Sequence, residues 1–204
     1  VSKHGFDESY VIEVLKNAEK REEMLQSVAK PAEKTKTWDE YKAIFIKTKR
    51  IRDGKKFISK NITTLEKAEK EFGVPKEIIT AILGVETNYG SNKGGYRVID
   101  SLTTLGFDDP RRSKFFRREL IEFFLLTREN NLDILNTKGS YAGAMGYGQF
   151  ISSSYRAYAI DYDGDGYADL FDSVDDSIGS TASYLARHGW KREGKIVTRT
   201  YPNN

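Results

Sequence analysis

The chain has 204 residues, of which 38% are hydrophobic and 31% are charged, and its net charge is +3. This composition is typical of a globular protein with a sizeable core and excludes a disordered chain. The absence of cysteine excludes disulfides and thiolate chemistry. No apolar run approaches the roughly 18 residues of a membrane helix. The weak positive charge indicates a solvated surface, and no nucleic-acid partner is expected.

Two helices are predicted before residue 75. TWDEYKAIFIKTKRIRDG begins with a capping box formed by Thr37 and Glu40, and Gly54 is expected to end that helix. TTLEKAEKEFGVP repeats the pattern, with Thr63 as the predicted cap and Gly73 as the stop. We therefore expect a helical N-terminal region over residues 1–70.

A third helix follows Pro75, in PKEIITAILGVETNYG. Proline is tolerated in the first turn of a helix, and the apolar positions 78, 79, 82, 83 and 85 predict a wide buried stripe.

The rest of the chain predicts more helix and little strand. SKFFRRELIEFFLLTREN is strongly amphipathic, and SIGSTASYLARHGW is a last helix that Gly189 ends. Segments 138–149 and 161–169 are rich in glycine and turn residues, and the tail GKIVTRTYPNN has strand-like character. The predicted fold class is mainly α (α+β): a helical domain with little strand.

Glu86 is the first candidate for chemistry. Ile79, Leu83 and Glu86 fall at i, i+4 and i+7, so Glu86 is predicted to continue the buried stripe. Burial raises the pKa of a carboxyl group, and a carboxyl group that keeps its proton near neutral pH can act as a general acid. The alternative is an ordinary surface glutamate near a helix C-terminus.

Glycoside cleavage normally pairs such an acid with a second carboxylate. The glycine-rich segment GSYAGAMGYGQF contains no acid. A single acid suggests that the substrate supplies the missing group, as the amide oxygen of an N-acetyl sugar can do.

Several motifs together resemble those of the B-type lytic murein transglycosylases, which are bacterial cell-wall enzymes with a goose-lysozyme-like core. They are GVPKEIITAILGVETNYG, RVIDSLTTLGFDDPRRSKFFRREL, GSYAGAMGYGQFISSSY, the following aspartate loop and HGW. PAEKTKTWDEYKAIFIKTKRI also matches, so the resemblance covers nearly the whole chain. Each motif is short, but the order and spacing of the motifs together are specific to this family. The resemblance implies a lysozyme-like catalytic core over residues 71–204.

The resemblance implies cleavage of the bond between N-acetylmuramic acid and N-acetylglucosamine without water. Glu86 would protonate the leaving oxygen and then take the proton from the muramic acid 6-hydroxyl. That hydroxyl closes on C1 and leaves a 1,6-anhydro end, in an intramolecular second step.

The resemblance also implies a set of cleft residues that contact the substrate. Arg111 would meet carboxylates of the substrate, where a guanidinium is well suited; Arg112 is interpreted as a surface charge. The residues expected to line the sugar subsites are Ser140, Tyr141, Met145, Gln149, Phe150 and Tyr184. Met145 and Phe150 could equally be core residues. Ser183 stands where the family usually has asparagine.

The segment DYDGDGYADLFD follows the spacing of an EF-hand calcium loop. Its predicted ligands are Asp161, Asp163, Asp165, the backbone oxygen of Tyr167, and Asp172 in the position where a bidentate glutamate is expected. Asp169 stands at an intermediate position of the pattern. The alternative is a solvated acidic turn.

The last ligand of this loop is left open by the sequence. In the family it comes later, which by count falls on Asp175, and Asp176 is not excluded. Calcium is favoured over magnesium because many flexible oxygen ligands suit the larger ion, and its expected role is structural.

Three functions are therefore compared: a lytic transglycosylase, an inactive calcium-stabilised wall-binding module, and a hydrolytic lysozyme. Family members continue beyond TYPNN, so the chain is expected to lack a C-terminal part of the core. We expect a monomer that acts on peptidoglycan strands in the periplasm or cell envelope of a Gram-negative-type bacterium. A signal peptide or an outer-membrane lipid anchor upstream is compatible with these expectations.

Overall fold

The structure, a computed structural model, describes residues 2–29 and 36–197. A 3-10 turn (Ser2–His4) precedes the first α-helix. The helices are α1 (Glu8–Lys16), α2 (Glu22–Ala29), α3 (Trp38–Phe45), α4 (Thr48–Lys60), α5 (Ile62–Phe72), α6 (Lys76–Thr87), α7 (Val98–Asp108), α8 (Ser113–Glu129), α9 (Ser152–Tyr158) and α10 (Val174–Arg187). Strands β1 (Tyr96–Arg97) and β2 (Lys138–Gly139) pair antiparallel. The prediction of a mainly α fold with little strand is confirmed.

The first predicted helix is two helices. Thr37 and Glu40 form the predicted capping box at the start of α3, but the chain leaves the helix at Ile46 and resumes as α4. The expectation that Gly54 ends a helix is wrong, because Gly54 is buried in the interior of α4. A Cβ at Gly54 would lie 2.5 Å from the Tyr89 hydroxyl, so this glycine makes room for an aromatic side chain.

The next helix, α5, ends at Gly73 as predicted. Its N-cap is Asn61, and Thr63 lies inside the helix, so the prediction of a Thr63 cap is wrong. The Asn61 side chain does not cap α5; it donates to the carbonyl of Phe57 at the end of α4, so this one residue joins the two helices. Helix α6 begins directly after Pro75, in agreement with the sequence.

Two clusters of buried side chains form the core. One is built mainly from α7, α8 and the glycine-rich segment; it includes Leu102, Phe116, Phe123, Met145 and Phe150. The other joins α4, α5, α6 and α10; it includes Phe57, Leu65, Ile79, Leu83 and Ile178. Each large apolar side chain that is fully buried contributes about 1.5–3 kcal/mol relative to exposure.

Helices within residues 1–70 contribute to both clusters. Val14 and Met24 pack in the first cluster, and Phe57 and Leu65 pack in the second. The N-terminal region therefore packs against the predicted catalytic core through both clusters.

The tail differs from the expectation of a strand. Residues 194–197 have no strand structure, and residues 198–204 lie outside the described residues. In the part of the chain that the structure describes, no helix has the length and apolar character needed to cross a membrane.

Candidate active site

A cleft of about 310 Å³ opens where α6, the segment before α9, and α10 meet. It is lined by Ile82, Glu86, Gly148, Gln149, Phe150, Ile151, Ser154, Thr181, Tyr184 and Leu185. Among the described residues of this lining, Glu86 is the one acidic side chain. The cleft lies between the two core clusters, since Phe150 belongs to one and Leu185 packs against the other.

Glu86 does not continue the buried stripe of α6, so that prediction is wrong. The buried positions are Ile79, Thr80, Leu83, Gly84 and Thr87, which form two neighbouring rows with intervals of four residues. Thr87 is 1% exposed, while Glu86 points away from the core and is exposed to the cleft. Val85, which was also predicted in the stripe, is exposed as well, so this part of the stripe prediction is wrong too.

The environment of Glu86 nevertheless raises the pKa of its carboxyl group. Desolvation is the cause. Exposure and desolvation are compatible here because the side chain faces the open side of a cleft whose walls include Ile82, Phe150 and Leu185. Such surroundings favour the neutral, protonated carboxyl group, which is the form that a general acid needs.

The end of the Glu86 helix is attached to the glycine-rich segment. The Thr87 hydroxyl donates to the carbonyl of Tyr147 at 2.9 Å and accepts the N–H of Gly90 at 2.9 Å. Gly90 has a φ of 83°, and a Cβ there would lie 2.0 Å from the Tyr147 ring. Thr87 and Gly90, at and just after the end of α6, are therefore the place where the two halves of the cleft touch.

Gln149 is held in the cleft by its own backbone and by the loop after α6. Its backbone is left-handed, with a φ of 51°, and its side-chain amide donates to the carbonyls of Gly146 at 3.0 Å and Lys93 at 3.3 Å. A non-glycine residue in this conformation is uncommon and is often found at functional sites.

Aromatic side chains form the wall opposite α6. The rings of Phe150 and Tyr184 pack edge to face at 5.5 Å. Tyr184 also packs edge to face on Tyr158 at 5.2 Å and stacks on His188 at 3.9 Å. Tyr184 therefore connects the cleft wall to an aromatic group whose other members, Tyr158 and His188, lie outside the described lining.

Of the predicted substrate-binding residues, Gln149, Phe150 and Tyr184 line the cleft with Glu86. Met145 is fully buried in the core and forms an isolated β-bridge with Phe150, which is the core interpretation that the sequence left open. Tyr141 is 40% exposed and lies outside the described lining of the cleft.

Ser140 and Arg111 have local contacts. The Ser140 hydroxyl accepts the N–H groups of Ala142 and Ala144 at 3.3 and 3.0 Å, so it organises the glycine-rich turn. The backbone N–H of Arg111 donates to the buried carboxylate of Asp109 in the turn between α7 and α8, and Arg111 lies outside the described cleft lining.

Several lining residues were absent from the prediction. They are Ile82, Gly148, Ile151, Ser154, Thr181 and Leu185. Helical spacing could have identified two of them, because Ile82 lies four residues before Glu86 and Thr181 lies three residues before Tyr184. Gly148 and Ile151 are placed by the path of a loop, which spacing does not encode, and Ser154 lies in the first turn of the short helix α9 that follows this loop.

The aspartate loop brings three carboxylates together. One oxygen atom from each of Asp161, Asp163 and Asp176 lies within 4.8 Å of the others. Asp161 also accepts the N–H groups of Gly164 and Gly166 at 2.7 and 2.8 Å, which curves the loop around the cluster. Three like charges this close repel each other unless a cation lies between them, so the donor set fits a hard divalent cation.

Asp176 is the third member of this cluster, in place of the two residues that the sequence favoured. It is fully buried and accepts the N–H groups of Tyr162 at 2.6 Å and Asp169 at 2.7 Å. Burial raises the pKa of its carboxyl group despite these donors, as expected for a buried carboxylate without a countercharge.

Asp175 and Asp172 are engaged elsewhere. Asp175 accepts a hydrogen bond from the Thr64 hydroxyl of α5 at 2.6 Å, and Asp172 forms an exposed ion pair with Lys93 at 3.3 Å. The different contacts of Asp175 and Asp176 follow from the start of α10 at Val174, because successive residues of a helix point in directions about 100° apart. Asp165 and Tyr167 are exposed members of the same loop and lie outside the three-carboxylate cluster.

The aspartate loop also contacts the cleft segment. The backbone N–H of Tyr147 donates to the carbonyl of Leu170 at 3.0 Å. At Gly146, which has a φ of 70°, a Cβ would lie 2.3 Å from the same carbonyl. The loop that holds the carboxylates therefore supports the segment that carries Gln149.

Comparisons with known proteins agree with these features. A family model described as Transglycosylase SLT domain matches residues 1–203. Membrane-bound lytic murein transglycosylase B of Escherichia coli (strain K12) is 42% identical over 206 residues, which cover 97% of this chain and 57% of that protein.

Solved structures are similar over the same region. Soluble lytic transglycosylase SltB1 of Pseudomonas aeruginosa is 48% identical with a TM-score of 0.90, and the match covers 95% of this chain and 65% of that chain. Lytic transglycosylase Slt35 of Escherichia coli, in complex with calcium, is 41% identical with a TM-score of 0.90, covering 96% and 62%. The more distant SltB3 of Pseudomonas aeruginosa, in complex with NAG-NAM-pentapeptide, is 29% identical with a TM-score of 0.82, covering 92% and 50%.

The helical fold and a cleft built around one glutamate define a lysozyme-like domain. The chain belongs to the Transglycosylase SLT domain family, among the B-type lytic transglycosylases. It spans 57% of the length of the Escherichia coli membrane-bound relative and 65% of SltB1.

Proposed function

We propose that this chain is the catalytic region of a peptidoglycan lytic transglycosylase. Its reaction is cleavage of the β-1,4 bond between N-acetylmuramic acid and N-acetylglucosamine, with formation of a 1,6-anhydro end. The observation that carries the proposal is Glu86: one carboxyl group with a raised pKa, in a cleft whose described lining holds no second acid. The names of the similar proteins support the same reaction.

In the first step Glu86 acts as the general acid. Its proton moves to the glycosidic oxygen, the bond from that oxygen to C1 of the muramic acid breaks, and N-acetylglucosamine leaves. Positive charge develops at C1, and the acetamido oxygen of the muramic acid stabilises it. General acid catalysis of this kind contributes typically 10²–10⁴-fold.

In the second step Glu86, now ionised, acts as the base. It takes the proton of the 6-hydroxyl of the same sugar, and the 6-oxygen forms a bond to C1. The carboxyl group is thereby restored to its protonated form. Because nucleophile and electrophile belong to one sugar, the entropy loss of a bimolecular step is avoided.

Gln149, Phe150 and Tyr184 are the residues that we propose to position the sugar. The Gln149 amide oxygen can accept hydrogen bonds from hydroxyl or acetamido groups, because its NH₂ group is already directed to Gly146 and Lys93. Phe150 and Tyr184 offer apolar ring surface for a sugar face. Three other residues remain predicted substrate contacts and lie outside the described lining of the cleft: Ser140, Tyr141 and Arg111.

Calcium is the cation that we propose for Asp161, Asp163 and Asp176. Their clustered oxygens and the relative Slt35, whose structure is a complex with calcium, support this assignment. Bound there, the ion would neutralise the three carboxylates and stabilise the loop that supports Tyr147 through Leu170. Asp165 and the Tyr167 carbonyl are the further ligands that the EF-hand spacing predicts.

If peptidoglycan is the substrate, the protein acts in the cell envelope. We propose a periplasmic location, in line with the membrane-bound relative from Escherichia coli. We also propose that the substrate is a glycan strand that carries peptides, and the complex of SltB3 with NAG-NAM-pentapeptide supports this.

The test is digestion of purified cell wall by Glu86→Gln. The amide keeps the size of the side chain and removes the transferable proton, so we expect at least ~10³-fold less solubilised wall than with the parent protein. Glu77→Gln, on the same helix and outside the cleft, is the matched control and should keep parent activity. Equal activity of Glu86→Gln and the parent would contradict the proposal.

A further inference from the structure

The positive charge of this protein is concentrated on α4. Residues 47–60, which comprise α4 and the residue before it, hold seven basic residues and one acid, Asp53. Their net charge is +6, so the other 190 residues together carry −3. The excess is therefore a property of one surface and not of the overall composition.

Three of the basic side chains lie on the exposed side of this helix, away from the core. Gly54 and Phe57 are buried against the core, while Lys55, Lys56 and Lys60 are exposed. Lys56 and Lys60 are one turn apart, so they point in the same direction. None of the three lysines forms an ion pair with another residue that the structure describes, which leaves their charges available to a partner.

Large apolar side chains are exposed on α4, at the turn before it and on the neighbouring α3. Ile46, between α3 and α4, is 61% exposed, and Ile51, in the first turn of α4, is 51% exposed. Ile51 lies one turn before Lys55 on the same row of the helix. Trp38, at the start of α3, is 71% exposed.

The corner between α3 and α4 is held in a fixed shape. The guanidinium of Arg50 donates to the carbonyls of Ile44 at 3.2 Å and Phe45 at 2.8 Å, at the end of α3. The same guanidinium lies 5.9 Å from the centre of the Phe45 ring. Ile46 is therefore displayed by a structured turn, next to the first turn of the basic helix.

We propose that this basic and apolar surface of α3 and α4 binds the anionic phospholipid headgroups of a bilayer. The lysines attract the negative surface, at about 1 kcal/mol for each residue near it. The isoleucines and Trp38 insert among the headgroups, as apolar and tryptophan side chains do at membrane interfaces. An anionic wall polymer would pair with the lysines but would leave the isoleucines in water, so the bilayer fits both features. The proposal is independent of the reaction at Glu86.

The first measurement is co-sedimentation of the protein with vesicles. Vesicles of phosphatidylcholine alone are compared with vesicles that contain phosphatidylglycerol, at low ionic strength. Binding to the anionic vesicles alone is expected, with loss at about 0.5 M salt because the charges are then screened. The emission of Trp38 should shift to the blue on binding, and this shift should vanish in Trp38→Phe.

Two variants separate the contributions. Lys55→Gln, Lys56→Gln and Lys60→Gln combined should weaken vesicle binding by roughly 100-fold, at about fivefold for each lysine. Ile46→Ser with Ile51→Ser should weaken it by about tenfold at unchanged charge. Circular dichroism checks that the variants stay folded.

The matched control removes the same charge elsewhere. Lys16, Lys114 and Lys191, all exposed, are changed to glutamine together. This control should bind within about threefold of the parent protein, since distant charges are screened.

Four outcomes would overturn the proposal. They are an absence of binding to the anionic vesicles, equal binding to the neutral ones, equal loss in the control variant, and a blue shift that persists in Trp38→Phe. Loss of binding to purified cell wall in the lysine variant, with vesicle binding unchanged, would assign the surface to an anionic wall polymer instead.

Discussion

The hydroxyl of Thr87 and the carbonyl of Tyr147 are joined by a hydrogen bond of 2.9 Å. Thr87 is the last residue of the helix that carries Glu86, and Tyr147 lies in the segment that carries Gln149. This contact fixes the acid relative to the opposite wall of the cleft. The Thr87 side of the contact is buried, which limits competition by solvent.

Thr87→Val tests this connection. Valine keeps the shape of threonine but leaves the Tyr147 carbonyl and the Gly90 N–H without a partner, which should cost about 1–3 kcal/mol in the free energy of unfolding. Urea denaturation measures that loss, and Thr87→Ser, which keeps the hydroxyl, should recover most of it. Equal stability of Thr87→Val and the parent protein would show that the contact does not hold the cleft together.

Met145 and Tyr141 should separate packing from recognition. Met145 is fully buried, so Met145→Ala should lower the free energy of unfolding by about 2–5 kcal/mol. Tyr141→Ala should change it by less than about 0.5 kcal/mol, while weakening the binding of soluble wall fragments roughly tenfold. Denaturation and titration calorimetry on both variants measure the two effects. Unchanged binding by Tyr141→Ala would remove Tyr141 from the site.

Calcium titration should identify the last ligand of the aspartate loop. Asp176→Asn should weaken calcium binding at least tenfold, because Asp176 clusters with Asp161 and Asp163. Asp175→Asn should keep the affinity within about threefold and lose about 1 kcal/mol of stability through its bond to Thr64. Helix content in the presence of a chelator checks that both variants are folded. The opposite pattern of affinities would return the assignment to Asp175.

Much of the fold follows from local patterns in the sequence. The capping box at Thr37, the stop at Gly73 and the amphipathic pattern of α8 each depend on residues within one helix, so the sequence predicts them directly. Gly54 misleads because its role depends on Tyr89, 35 residues later in the chain. A glycine that makes room for a distant side chain has the same sequence pattern as one that ends a helix.

The site was predictable in its chemistry and less so in its geometry. The family motifs led to Glu86, Gln149, Phe150 and Tyr184, which the structure places in one cleft. The stripe argument failed for Glu86 because the buried face of α6 runs from Ile79 through Leu83 and Thr87 to Thr80 and Gly84 around the helix, which leaves Glu86 just beyond its edge. Asp176 was left open because the start of α10, not the spacing of the loop, decides which aspartate turns inward.

The stability of the protein should depend on Glu86 in a known direction. The pKa of Glu86 in the folded protein is raised above the ordinary value of 4.5. The contribution of Glu86 to the free energy of unfolding is therefore fully present below pH 4.5 and is lost as the pH rises through the raised pKa. Glu86→Gln removes this loss, so its stability relative to the parent protein should increase over the same pH range. Thermal unfolding at a series of pH values measures the difference, with Glu77→Gln as the control. A difference that stays constant with pH would show that the cleft does not desolvate Glu86.

The origin of the oxygen atom at C1 tests the central claim most directly. Cell wall is digested in water enriched in the heavy oxygen isotope, and the products are analysed by mass spectrometry. If Glu86 acts as the base for attack of the sugar's own 6-hydroxyl on C1, the muramic acid ends carry no heavy oxygen. Their mass is then lower than that of reducing ends by one water. Reducing ends labelled with heavy oxygen would contradict the account, because water would then be the nucleophile.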